Sequence, residues 1–239
     1  VASACPAWAD AYPDHSITIV VPYSPAGVTD VIARMLSKQM GKQMGQSVVI
    51  DNKPGAGGNI GNAFVARSKP DGYTLLIMID AGTVAPALYT NPGYDPIKSF
   101  APITMLATGA HLIVANPSFG PNNLQELIAA AKAKPNSIFF ASSGTGTSQH
   151  LGMERLKAAT GMQIRHVPYK GGGQAINALV SGQVPLGIIG IAPALPHIRA
   201  GTLKVIAITS LERSPLLPNV PTVSESGVPG FESLNWFAL

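Results

Sequence analysis

Two loops carry side chains suited to holding an anion. "VPYSPAGVTD" (21–30) leaves an apolar run and enters a helix-like segment, and "SSGTGTSQH" (142–150) does the same in the second half of the chain. Each puts hydroxyls and small residues ahead of a helix N-terminus. There, free N–H groups and the helix dipole favour negative charge. The dipole contributes about 0.3–1 kcal/mol per terminus, and each hydrogen bond to a charged group about 1.5–3 kcal/mol. Several together can reach about −8 kcal/mol, which is micromolar affinity. Thr29, Thr147 and Ser148 are also ordinary N-cap residues. Taken alone, each loop reads either as a helix cap or as a ligand site.

A third loop, "PGAGGNIG" (54–61), raises a nucleotide reading. A dinucleotide fingerprint needs a strand, G-x-G-x-x-G, a helix and an acid about 20 residues on. Gly55, Gly57, Gly58 and Gly61 approximate the loop, and Asp80 stands where the ribose-binding acid would fall. The spacing is off. With Gly55 and Gly57 in the first two places, the last glycine position is Ile60, and Asn52, Lys53 and Pro54 separate the loop from its strand. A nucleotide-dependent oxidoreductase built on Gly55–Gly61 and Asp80 is the alternative enzyme reading. The plainer one is a tight turn, for which glycine is the permissive residue. Gly41 and Lys42 are followed by Gln43, so a phosphate-binding P-loop is absent, and no G-x-S-x-G elbow occurs.

Composition narrows the classes. Of 239 residues, 46% are hydrophobic and 12% charged, which suits a packed globular chain. The net charge of +4 is spread without a dense basic block, so a gentle field for small anions is expected and nucleic acid is not. Cys5 is the only cysteine, so no internal disulfide can form. The five histidines have no metal-site spacing, and neither a metal nor a cofactor is expected. No run of about 18 apolar residues suggests a membrane span. "VASACPAWADAYP" reads as the tail of a leader, with Ala7, Trp8 and Ala9 in the small-x-small form of a cleavage site. Ala2 to Cys5 loosely matches a lipoprotein site instead. Export is the expectation.

Positioning these loops requires alternating strands and helices. Ile17–Val21, 47–50 and Tyr73–Ile79 read as strands. Apolar residues at 28, 32, 35, 36, 40 and 44 form one helical face that Gly45 ends. A short helix is expected at 59–68. The second half repeats the rhythm, with strands at 111–115, 137–142, "QIRHVPY", "VPLGIIG" and "LKVIAITS". Between them lie a helix capped by Asn123 with Glu126 and helices after "SGTGTSQH", after "GGG" and at "ALPHIRAG". The pattern predicts α/β lobes with parallel-rich sheets and a cleft between them. Residues 10–110 and 210–239 would form the first lobe, 111–209 the second, and 1–9 a residual leader.

"ITIVVPYSPAGVTDVIARMLSKQMGKQMGQSVVIDNKPGAGGNIG", "PDGYTLL", "SSGTGTSQHL", "HVPYKGGGQAINALVSGQV" and "ALPHIRAGTLKVIAITSLERSPLLPNVPTVSESGVPGFE" resemble, in order, the Bug family. These are extracytoplasmic solute receptors of tripartite tricarboxylate transporters. The resemblance runs from residue 12 to 239. It implies a two-lobed, type II-like periplasmic-binding-protein fold, a periplasmic location and no catalysis. It also implies a monomer that binds a small carboxylate and docks to membrane transporter subunits; a receptor for periplasmic signalling is the variant reading. Its ligand residues map to Tyr23, Ser24, Ala26, Gly27, Thr29 and Asp30 in the first loop and to Ser143, Gly144, Thr147 and Ser148 in the second. Asp30, being anionic, is expected to hold water or backbone N–H groups rather than the ligand. Tyr169 begins a further turn near the cleft, and Lys170 beside it adds positive field or is merely exposed.

This sequence departs from the family pattern at Ala26, where glycine is common. It departs again at Gly190 and Ile191, where a polar pair is common. Asp80 and His111 fall on loops that border the ligand's distal end. The expectation is one gripped carboxylate and an apolar or aromatic distal part, touched by His111 unless that residue merely starts a strand. The family continues past "NWFAL", so the chain is read as a fragment or as having an abbreviated first lobe.

Overall fold

A computed structural model describes residues 12–239; the leader-like segment and Cys5 lie outside the described residues. Two sheets organise the chain. The smaller is parallel, with β1 (Ile17–Val21) between β2 (Val48–Asn52) and β3 (Thr74–Leu76). Being central, β1 is covered on both faces: Ile17, Ile19, Val20 and Val21 are fully buried. α1 (Val28–Met44) links β1 to β2. It starts at Gly27 and stops at Gly45, whose left-handed backbone lets its N–H donate to Gly41 O. α2 (Asn59–Ala66) returns the chain to β3.

The single strand expected over 73–79 is split. β3 pairs with β1, whereas β4 (Met78–Ile79) pairs with the distant strand β10 (Leu234–Ala238). A helix follows directly, α3 (Asp80–Leu88), where none was expected. Its sequence, "DAGTVAPAL", holds a glycine and an internal proline and has no side-chain cap. The local helix signal is therefore weak.

The larger sheet has β5 (Met105–Ala115) as its spine. Residues 105–110 pair antiparallel with β10, and 111–115 run antiparallel to both β8 (Leu186–Gly190) and β9 (Lys204–Ile208). β6 (Phe139–Ser142) lies parallel to β8 and to β7 (Arg165–Pro168). This sheet is thus mixed rather than parallel-rich. The expected lobe boundary at 110/111 falls inside an unbroken strand. Leu112 and Val114 pack into one core, Ile113 and Ala115 into another, the period of two that a strand buried on both faces requires.

α4 (Leu124–Ala133) is capped as its sequence indicates. Asn123 Oδ1 accepts the Glu126 N–H at 2.8 Å, and Glu126 Oε2 accepts the Asn122 N–H at 2.8 Å. α5 (Ser148–Thr160), α6 (Gly172–Val180) and α7 (Ile191–Arg199) complete the second half.

The first anion loop contains one strained residue. Ala26 sits at φ +64, in the left-handed region that costs a Cβ-bearing residue about 1–2 kcal/mol. Ala26→Gly should therefore raise stability by about 1 kcal/mol in denaturant titration; a loss of stability would show that the methyl is held by packing.

Candidate anion-binding cleft

Helix starts from both halves meet at one cavity. Its polar wall is Thr29 on α1, Ser143, Gln149 on α5 and Asn235 on β10. Its apolar wall is Val28, Ile79, Ile189, Pro193 and Phe237, with Tyr23 beside Gly27, Gly172 and Gly190. No lysine or arginine lines it. The available attraction for an anion is therefore backbone N–H groups, helix dipoles and neutral side-chain donors.

The first loop is braced from behind by Asp30. This buried carboxylate accepts the Ala26 N–H at 3.0 Å, Arg34 Nε at 2.8 Å and Nη2 at 3.1 Å, and Asn52 Nδ2 at 3.0 Å. Burial works against its charge, but these donors outweigh burial and hold the carboxyl below its ordinary range. Asp30 does not reach the cavity. Tyr23 is buried, and its hydroxyl donates to Gly57 O at 3.0 Å. Ser24 is buried with its hydroxyl unpartnered, and its N–H donates to Lys170 O at 2.9 Å.

That last bond joins the first loop to the turn at 169–173, and glycines allow it. A Cβ on Gly171 would lie 2.5 Å from Ser24 N, and one on Gly173 would overlap Pro25 O. "PGAGGNIG" joins the same seam. A Cβ on Gly57 would lie 2.5 Å from Thr145 O, and one on Gly58 2.7 Å from the Tyr23 hydroxyl. The space beside Gly57 and Gly58 is thus taken up by Thr145 and Tyr23, and the turn packs on the second loop rather than serving only its own sheet.

In the second loop, Thr147 is the N-cap of α5 and accepts from the His150 N–H. Its hydroxyl donates to Gly144 O at 2.8 Å. Gly144 packs against Gly57 rather than lining the cavity. Ser143 does line it, held by Gln149 Oε1, which accepts both its N–H and its hydroxyl. Tyr169 donates its N–H to Ser142 O at 3.1 Å, behind the loop. Ile191 opens α7 and packs against the core of the larger sheet; the cleft wall there is Ile189, Gly190 and Pro193.

Asp80 and Ser148 line a separate cavity of about 270 Å³, together with Gly152, Arg155, Glu232 and Ser233. Burial pushes the Asp80 carboxyl up to about 6, against the pull of the Ser148 hydroxyl and amide, and its Oδ1 has no partner. His111 is fully buried inside β5 and lines neither cavity. Its Nε2 lies 3.0 Å from Ser148 Oγ, and burial pushes its pKa down to about 4, so it is neutral. Asp80, Ser148 and His111 thus form a chain from α3 through α5 to the spine strand.

Gln149 and Asn235 were missed by sequence reasoning. Gln149 carried a usable signal, an inward-facing amide in the first turn of the helix behind an anion loop. Asn235 carried none, because β10 itself was not expected. Among the described residues no cluster suited to a metal occurs, and no helix is long and apolar enough to cross a membrane.

Comparison with known proteins agrees with this architecture. The family model for the tripartite tricarboxylate transporter family receptor matches residues 32–239. BugT of Bordetella pertussis is 39% identical over 238 residues, covering 99% of this chain and 73% of BugT. The solved periplasmic binding protein BugD is 41% identical, with a TM-score of 0.91 over 95% of this chain and 76% of that one. A Rhodopseudomonas palustris protein solved with adipate is 36% identical, with a TM-score of 0.92 over the same shares. The chain has the α/β periplasmic-binding-protein fold, and it belongs to the tripartite tricarboxylate transporter receptor family, whose members are solute-binding receptors and not enzymes.

Proposed function

We propose that this receptor captures a small carboxylate between the loops 23–29 and 143–149 and presents it, in the periplasm, to the membrane subunits of a tripartite transporter. The observation that carries the reading is the cavity between α1 and α5, supplied with neutral donors and lacking a cation. Its volume is about 20 Å³. That is room for one water, against roughly 300–1,000 Å³ for a typical ligand pocket. A carboxylate therefore enters with the loops apart and is enclosed as they approach. We assign the moving bodies to 10–110 with 210–239 and to 111–209, joined through β5.

The finer reading is one carboxylate with an apolar or aromatic distal part. Val28, Ile79, Ile189, Pro193 and Phe237 offer apolar surface, and the partly desolvated Asp80 beyond Ser148 opposes a second negative charge. Calorimetry with a carboxylate panel, beside mass spectrometry of ligand carried through purification, tests both levels. Micromolar binding of monocarboxylates with apolar tails is expected. Strict preference for succinate or citrate contradicts the finer reading, and no carboxylate binding at all contradicts the coarser one.

Two variants separate binding from folding. Gly27 has an ordinary backbone conformation, and a Cβ there would sit 3.4 Å from Gly172 N, across the seam. Gly27→Val should weaken carboxylate binding by about 100-fold, roughly 2.7 kcal/mol, in a chain that still folds, with the stability loss of an overpacked buried position, about 1–3 kcal/mol, read separately by denaturant titration. Equal affinity would place the ligand elsewhere.

Asp80→Asn tests the buried charge. Because the folded-state pKa of Asp80 is raised to about 6 from 3.8, the folded chain holds this proton more tightly than the unfolded one. The residue's stability cost therefore grows as pH rises from about 4 to 6 and stays constant above. Asp80→Asn should stabilise the protein by about 2 kcal/mol at pH 8, do little at pH 4, and improve dicarboxylate binding at pH 8.

A further inference from the structure

Behind the second anion loop two histidines stack face to face. The rings of His150, on α5, and His166, on β7, lie 4.0 Å apart with 18° between their planes. His166 in turn stacks on Phe140 of β6 at 4.9 Å. Both rings bond to the loop itself. His150 Nδ1 accepts the Gly146 N–H at 3.2 Å. His166 Nε2 lies 2.7 Å from Ser142 Oγ, which also accepts the Gly144 N–H at 3.1 Å. Gly144 and Gly146 both have positive φ, which glycine adopts freely, so side-chain sterics do not fix the shape of this loop.

The bond from Gly146 fixes the state of His150. Its Nδ1 must be unprotonated to accept, so the ring proton sits on Nε2, which lies 3.9 Å from Glu154 Oε1. A second proton would turn Nδ1 into a donor aimed at another donor. It would also set a charge against the stacked ring of His166.

We propose that His150 is a positioning residue for the ligand loop, its neutral imidazole acting as the acceptor that holds Gly146, with His166 as the platform that keeps it seated. The ionisable groups facing the pair are each ring for the other, and Glu154 and Lys157 from α5. β6 and the loop contribute Phe140, Ser142 and Gly146, which carry no charge. Burial, the largest influence on both rings, lowers their pKa values, His166 to about 3, so both are neutral at pH 7. Glu154 pulls His150 the other way, which makes it the member of the pair that protonates first on acidification. The functional meaning rests on carboxylate capture by this loop. The bracing itself can be read without ligand.

Amide hydrogen exchange at Gly146, corrected for the intrinsic rate and measured on the ligand-free chain from pH 8 to pH 5, tests it. In the wild type, protection should fall as pH drops. His150→Asn puts a non-titrating acceptor near the Nδ1 position. It should keep protection within about twofold of wild type at pH 8 and remove the pH dependence. His150→Phe keeps an aromatic ring but loses the acceptor, and protection should fall by about tenfold at every pH. Hexanoate affinity, compared between variants at each pH so that the ligand's own titration cancels, should follow the same order. Undiminished Gly146 protection in His150→Phe overturns the proposal, as does an acid response that persists in His150→Asn. If exchange behaves as expected but neither hexanoate, adipate nor any other acid of the carboxylate panel binds any variant, the bracing stands and carboxylate capture fails.

Discussion

Backbone contact across the seam governs this molecule. The Ser24 N–H donates to Lys170 O. Around that bond, Gly171 and Gly173 meet Ser24 and Pro25, and Gly57 meets Thr145, at distances that leave no room for a Cβ. An anion held by neutral donors alone needs several of them at hydrogen-bond distance, screened from water. Side chains at the seam would keep the two loops too far apart to supply those donors together. The glycine content of "PGAGGNIG" and "KGGG" therefore answers to the cleft. The methyls of Ala26 and Ala56 sit on the exposed sides of their loops, each at positive φ and at the expense of backbone strain.

Each loop is held by polar groups, of which Gln149 also lines the cavity while Asp30 and the stacked histidines do not. On the first side the Asp30 carboxylate gathers Ala26, Arg34 and Asn52. On the second, Gln149 holds Ser143, and the stacked histidines hold Gly144 and Gly146. The cavity's own surface is left with donors and apolar walls. Charge is kept one layer back, where Asp30 is paired and His111 is neutral. Asp80 is the exception: it is partly desolvated, with one oxygen unpartnered.

Much of this was legible locally. α1 showed itself by its apolar spacing and Gly45, α4 by Asn123 with Glu126, and the helix starts behind loops 21–30 and 142–150 by their small residues and hydroxyls. What failed was non-local. β10 and the antiparallel pairing of β5 depend on residues more than a hundred positions apart in sequence, and nothing in "SLNWFAL" announces its partner. α3 hid behind Gly82 and Pro86. Gln149 stood in plain view, but its role appears only once its amide is seen to hold Ser143. For the same reason His111 reads in the sequence either as a ligand contact or as a strand-start residue, and in the fold it is a buried partner of Ser148 within β5.

The central claim is that the two loops close over a carboxylate. Electron–electron resonance between spin labels at the exposed positions Lys38 and Lys134, with Cys5 replaced by serine, measures it directly. The account predicts a broad distribution with a longer-distance population in the ligand-free chain. It should collapse to one shorter, narrow distance with saturating carboxylate. An identical distribution with and without bound carboxylate would contradict it.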